Sequence, residues 1–296
     1  MNLGWDTYLT DSKNGSVAVV VDLDARATAG LDFCLQAQIK LKAAGADGQA
    51  KGDEIAALGP SEEDFEKLVR NLDGVYVGRL TMQGRRIFTA YMPTGHVPTQ
   101  SQLGGYGVSF GSKHDAAWDF FAQALFPASE ELQGILNRRT LEQLESQGDE
   151  LIDAREITHS AVFADASAAS EFSSEAMSLG YDLIDPLASA EGWTVKAVRF
   201  DRPEWLSINR STRELLDLII GLGGSYLGWT CPIHRADGWT GDSLSSGCCG
   251  GGSCGTGKSS SGGGCSTSAG SCGTGSCSTP DLAPKTGCGT GGCGCG

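Results

Sequence analysis

The stretches that decide the fold of residues 155–233 are ITHSAVFADASAASEFSSEAMSLGYDLI (residues 157–184) and GWTVKAVRFDRPEWLSINRSTRELLDLIIGLGGSYLGWTCPI (residues 192–233). Alternating β-branched residues predict strands, and apolar residues three and four apart predict helices. The predicted elements are a strand at 157–164, a helix at 165–179, strands at 181–184 and 192–200, a helix at 204–222 and a strand at 225–233. This βαββαβ order predicts a ferredoxin-like module of four antiparallel strands with two helices on one face.

Several details of this module follow from local rules. Asp165 is the expected N-cap of the first helix, and Pro186 is expected to stop the second strand. Leu179 and Trp205 are expected to point inward with the apolar stripes of their helices. Tyr226 and Trp229 are three residues apart on the last strand, so strict alternation predicts that they point to opposite faces.

Residues 1–150 form an earlier block with a mixed pattern. A β-branched run at 16–23, an alternating segment at 31–41 and a hairpin around Gln83-Gly84 predict strands. Helices are predicted from Pro60, with Ser61 as N-cap, and over residues 116–125 and 130–147. The whole folded part is therefore expected to be α+β, with a mixed antiparallel sheet and helices in the first module.

Two motifs allow a comparison with a known family. The segments LGYDLIDP (179–186) and GSYLGW (224–229) resemble, in order and spacing, the ribonuclease E inhibitor B family, also called regulator of ribonuclease activity B. The family's usual closing motif is Tyr-Asp-Gly-Trp, and Leu227 stands here in place of the aspartate. The resemblance implies a non-enzyme that inhibits a ribonuclease E-type endoribonuclease through the enzyme's basic non-catalytic region. The candidate partner-binding residues are Tyr181, Asp182, Asp185, Tyr226 and Trp229.

The first block resembles a module that is often fused in front of that domain, family 695 of the domains of unknown function. The matching pieces are WDTY (5–8), YVGR (76–79), DAAW (115–118), LFP (125–127), and Gly148-Asp149 leading to Arg155 and His159. This resemblance assigns no function to residues 1–150.

The formal charge of −14 limits the choice of partner. From Cys231 onward acidic and basic residues cancel, so the excess lies on residues 1–230. An acidic body repels the phosphate backbone, which argues against direct nucleic-acid binding and favours a basic protein partner. The alternative is that acidity serves only solubility, and charge alone does not separate the two.

Nothing in the sequence predicts an active site. The four histidines, His96, His114, His159 and His234, lie in different segments without a second ligand nearby. A P-loop pattern at residues 252–259 lacks the preceding strand and following helix that phosphate binding requires. The chain has no apparent signal peptide and no apolar run of the roughly 18 residues that a spanning helix needs, so a cytoplasmic location is expected.

Residues 237–296 are rich in glycine, serine and cysteine and are expected to be disordered. Nine of the eleven cysteines lie between Cys248 and Cys295. Three pairs have the same four-residue gap: Cys249/Cys254, Cys272/Cys277 and Cys288/Cys293. Thiolates at this spacing are candidate ligands for zinc or copper(I). Two alternatives stay open: an azole-type modified peptide, with the folded body as its leader, and a low-complexity spacer.

Overall fold

The computed structural model describes residues 3–13, 15–235 and 240–246, without the side chains of Asp185 and of residues 240–246. It confirms the α+β class. The first sheet has seven strands in the order β1-β2-β4-β5-β3-β7-β6, and each neighbouring pair is antiparallel. Its strands are β1 (Trp5–Ser12), β2 (Gly15–Asp22), β3 (Phe33–Lys40), β4 (Val75–Met82), β5 (Arg85–Met92), β6 (Gln102–Leu103) and β7 (Tyr106–His114).

Apolar side chains cover both faces of this sheet. On one face β2 packs against a π-helical turn (Phe121–Leu125) and against α3 (Ser129–Ser146). On the other face α2 (Gly59–Asn71), which follows the short helix α1 (Glu54–Ala57), covers β3 and β5. The expected N-cap at Ser61 is wrong, because Ser61 lies inside α2 and its hydroxyl donates to the carbonyl of Leu58.

The second sheet has the order β12-β11-β8-β10-β9. Its elements are β8 (Arg155–Phe163), α4 (Ala166–Ser178), β9 (Asp182–Ser189), β10 (Gly192–Asp201), α5 (Trp205–Gly221), β11 (Ser225–His234) and β12 (Thr240–Ser246). The βαββαβ prediction is confirmed, and α4 and α5 pack on one face of β8, β10 and β11. Asp165 is the N-cap of α4, since its side chain accepts the amide hydrogen of Ala168.

Three local expectations for this module are wrong. β9 continues through Pro186, because a proline without an amide hydrogen is tolerated on an edge strand, and the pairing with β10 is irregular there. Leu179 and Trp205 are exposed rather than inward. Each lies at a helix end, where the chain turns away from the sheet.

Thr240–Ser246, which the sequence placed in the disordered tail, forms a strand paired with β11. Strand pairing there satisfies the backbone groups along one edge of β11, and it needs no apolar side chains. The rest of the predicted tail lies outside the described residues. Both sheets belong to one compact unit, so the predicted boundary between modules at residues 150–155 stays a prediction.

Candidate functional site

The motif on β11 is shaped by a bulge. Tyr226 pairs with Ala161 and Gly228 pairs with Ser160, so Leu227 is an extra residue in the strand. Gly228 has a φ of 110°, which a residue with a side chain rarely adopts. Because the bulge shifts the alternation by one residue, Tyr226 and Trp229 both face the helices and are buried. The expectation that these two rings point to opposite faces is therefore wrong.

Trp229 joins the motif to helix α3. Its indole Nε1 donates to Oδ1 of Asn137 at 2.8 Å, and the amide of Gln133 donates to the same oxygen at 2.9 Å. The Asn137 amide nitrogen donates to the hydroxyl of Thr212 and to Oδ1 of Asn209, each at 2.9 Å. Asn137 is fully buried. The three hydrogen bonds that it makes with Trp229, Thr212 and Asn209 fix α3 against both α5 and β11.

Tyr226 reaches a buried histidine. Its hydroxyl lies 2.7 Å from Nδ1 of His159, and the ring of Tyr181 packs edge-on against the imidazole. The guanidinium of Arg199 lies 4.5 Å from the centre of the Tyr181 ring. Burial, with a contribution from the charge of Arg199, lowers the pKa of His159 to about 3. The histidine is therefore neutral at physiological pH and serves as a hydrogen-bonding core residue.

A second buried contact holds the end of the same strand. Arg155 forms an ion pair with Asp149, and both side chains are almost completely buried. Arg155 also donates to the carbonyl of Pro232, while Asp149 accepts the amide hydrogen of His234, both at 2.9 Å. These bonds tie the segment after α3 to β11.

The predicted partner-binding residues fall into two groups. Tyr181, Tyr226 and Trp229 are buried, so in this structure they shape the domain from inside. Asp182 is exposed at the start of β9, and Asp185 lies in the same strand. The role of all five in partner binding stays a prediction.

The second sheet has an open face, on the side opposite α4 and α5. Asp182 of the motif lies on this face together with exposed apolar side chains. Asp182 pairs with Val198, and Ile184 pairs with Lys196 on the neighbouring strand. Phe200, which pairs with Glu156, is 71% exposed, and Ile184 is 51% exposed. We call this surface the open sheet face. An exposed apolar surface with charged neighbours is typical of protein–protein contact.

Among the described residues, no group of three or more histidine, cysteine, aspartate or glutamate side chains is placed to hold a metal ion. Burial raises the pKa of the Cys34 thiol to about 11 and that of Cys231 to about 12, so both stay protonated. The predicted tail ligands, Cys249, Cys254, Cys272, Cys277, Cys288 and Cys293, lie outside the described residues.

Asn137 is the site residue that sequence reasoning missed. The usable signal was a polar residue among the apolar positions of the predicted helix 130–147, between Leu136 and Leu141. Such a position predicts a buried amide that needs partners. The identity of those partners depends on residues 72 to 92 positions further along the chain.

Fold and motif together define a ferredoxin-like domain in which the signature aromatic residues hold the core. Residues 135–231 match the model of the family Regulator of ribonuclease activity B, so the chain contains a domain of this family, as the motifs predicted. This is a family of regulators and not a catalytic family. A comparison of the chain with curated proteins gives no match. The resemblance of the first module to family 695 of the domains of unknown function stays a prediction.

The match begins inside α3, at residue 135, and not at β8. That start agrees with the geometry, because Asn137, Leu141 and Leu144 of α3 contribute to the core beneath β11 and α5. Among the described residues, no helix is both long enough and apolar enough to cross a membrane.

Proposed function

We propose that this chain is a cytoplasmic regulatory protein that binds an endoribonuclease of the ribonuclease E type and lowers its activity. The observation that carries the proposal is the family domain at residues 135–231, with its aromatic motif folded into the core. The partner region is the basic non-catalytic part of the enzyme. Binding to that region regulates cleavage without any catalytic group from this chain.

The distribution of charge supports a basic partner. Residues 1–154 contain 22 acidic and 13 basic side chains, whereas residues 155–235 contain 11 and 7. The first module therefore carries most of the acidic excess. Such a field raises the rate at which a basic segment approaches, and the contacts of the family domain then determine where it stays.

The open sheet face suits the final contact. It combines the exposed aromatic ring of Phe200 and the side chain of Ile184 with the carboxylates of Glu156 and Asp182. An arginine-rich segment with apolar residues matches this mixture, since its aliphatic stems pack on the apolar groups while its charges meet the carboxylates.

The test uses purified partner enzyme and the full chain. We expect the chain to slow cleavage of an RNA substrate by the intact enzyme, and to leave an enzyme without its basic non-catalytic region unaffected. Asp182→Lys should weaken binding about tenfold, as expected for one lost contact with a charged group. Glu175→Lys, on the exposed side of α4, is the matched control and should bind as the unchanged chain does. Absence of binding by the unchanged chain would refute the proposal.

A second candidate function concerns the cysteine-rich tail. We propose that the repeated four-residue gaps in Cys249/Cys254, Cys272/Cys277 and Cys288/Cys293 hold zinc or copper(I), independently of the folded body. Glycine between the thiolates allows a short loop to close around one ion. Enzymatic conversion of the same residues to azoles is the competing outcome, and it is detected as a loss of about 20 Da per modified residue in the intact mass.

A further inference from the structure

A groove of about 440 Å³ lies where β1, α3 and α5 meet, and neither module forms it alone. Leu9 comes from the first sheet, while Trp205 and Leu206 come from the helix of the second module. These three side chains are 69%, 47% and 77% exposed. We call this surface the junction groove.

Large apolar side chains exposed together need an explanation. A leucine that stays in water gives up the favourable free energy that burial of its apolar surface would provide. Leu206 is the second residue of α5, where a polar side chain would serve the helix equally well. Clustered exposure of this kind around a concave surface marks a contact with another macromolecule.

The charges in the junction groove are balanced. Two acids from α3, Glu130 and Glu131, face two arginines from α5, Arg210 and Arg213. Glu130 forms an ion pair with Arg213, and Glu131 accepts a hydrogen bond of 3.1 Å from Thr10. Within the part of the chain that the structure describes, Arg210 forms no salt bridge, and neither does Glu131. The groove therefore offers one cation and one anion for a further partner.

This balance decides between possible occupants. A partner with charges of one sign would meet only Arg210 or only Glu131, whereas a second copy of this chain offers both signs. Two copies of this chain repel each other except where their facing surfaces are neutral, and the junction groove is such a surface. We propose that the junction groove is the contact of a twofold symmetric dimer of this chain.

In a twofold contact the same patch occurs on both sides. Leu206 of one copy then enters the groove of the other, and Arg210 meets the partner subunit's Glu131. The symmetry repeats both contacts, so each copy supplies the cation and the anion that the other lacks. The open sheet face stays free on both copies, which is compatible with partner binding there.

The experiment measures the mass of the full chain by sedimentation equilibrium over a range of concentrations. We expect a dimer that dissociates on dilution. Leu206→Glu should weaken the dimer at least 100-fold, because it places two carboxylates at the contact. It should not unfold the protein, since an acidic residue in the first turn favours the helix. Leu187→Glu is the matched control: Leu187 is 71% exposed on β9, away from the junction groove, and its substitution should leave the dimer unchanged.

A charge exchange tests the pairing itself. Arg210→Glu and Glu131→Arg should each weaken the dimer, and the two together should restore most of the lost association. A full chain that stays monomeric at roughly 100 µM would overturn the proposal, because a dimer with a dissociation constant in the micromolar range would be largely associated at that concentration. So would a dimer that Leu206→Glu leaves intact, or one that Leu187→Glu disrupts equally.

Discussion

The indole nitrogen of Trp229 donates a 2.8 Å hydrogen bond to the side-chain oxygen of Asn137, which lies 92 residues earlier in the chain. The bond joins the last strand of the ferredoxin-like unit to a helix that precedes its first strand. It makes α3 part of that unit. The signature tryptophan thereby links the core of the ferredoxin-like unit to α3.

Two substitutions of Trp229 should separate the stability that comes from packing of its ring from the stability that comes from its hydrogen bond. Trp229→Phe keeps most of the ring volume but leaves Asn137 without one donor, so unfolding should become easier by about 1–2 kcal/mol. Trp229→Ala also opens a cavity and should cost about 3–5 kcal/mol. Urea unfolding of the full chain measures both values. Trp205→Phe is the control, because Trp205 is exposed, and its effect should be small.

Helix α3 should be needed for cooperative folding of the family domain. Leu141 and Leu144 lie in the same apolar cluster as Ile208 and Trp229. A fragment of residues 155–246 leaves that cluster open to water, whereas a fragment of residues 129–246 covers it. We expect the longer fragment to unfold in a sharper transition and at higher urea concentration. Equal transitions would place the domain start at β8, where the sequence predicted it.

The free energy of unfolding should decrease as pH is lowered, because His159 takes up a proton more readily in the unfolded chain than in the folded protein. In the folded protein its pKa is about 3, and in the unfolded chain it is near 6.5. Below about pH 6.5 the unfolded state binds a proton that the folded state does not, so stability is full above that value. It should decrease by about 1 kcal/mol per pH unit as pH falls toward 3. His159→Gln should remove this part of the pH dependence between pH 6.5 and 5, where few carboxyl groups titrate. His96→Gln, at an exposed position, should keep it.

Metal binding by the cysteine-rich tail should depend on the six paired cysteines alone. We expect zinc to be retained by the full chain under native mass spectrometry and lost when all six are changed to serine. Retention should also decrease at low pH, because protons compete for the thiolates. A chain ending at residue 246 should melt at the same temperature as the full chain. Zinc retained by the six-serine variant would show that the paired cysteines are not the ligands.

The sequence by itself determined the α+β class, the βαββαβ order and the family of the second module, although it placed the start of that module at residue 155 and the family match begins at residue 135. Those features depend on local periodicity, caps such as Asp165, and short motifs, all of which are written within a few residues. The positions that local rules described wrongly share a cause. Pro186, Leu227 and Trp205 lie at a bulge, an edge or a helix end, where pairing with another strand or the end of an element overrides alternation.

Only the tertiary structure decided which partners the buried polar groups have. Asn137, Tyr226 and His159 need hydrogen bonds because they are removed from water, but the sequence does not tell which distant residue supplies them. The same holds for the junction groove, whose apolar and charged residues come from three elements that only folding brings together. Local composition determines what an element is, whereas long-range packing determines what it contacts.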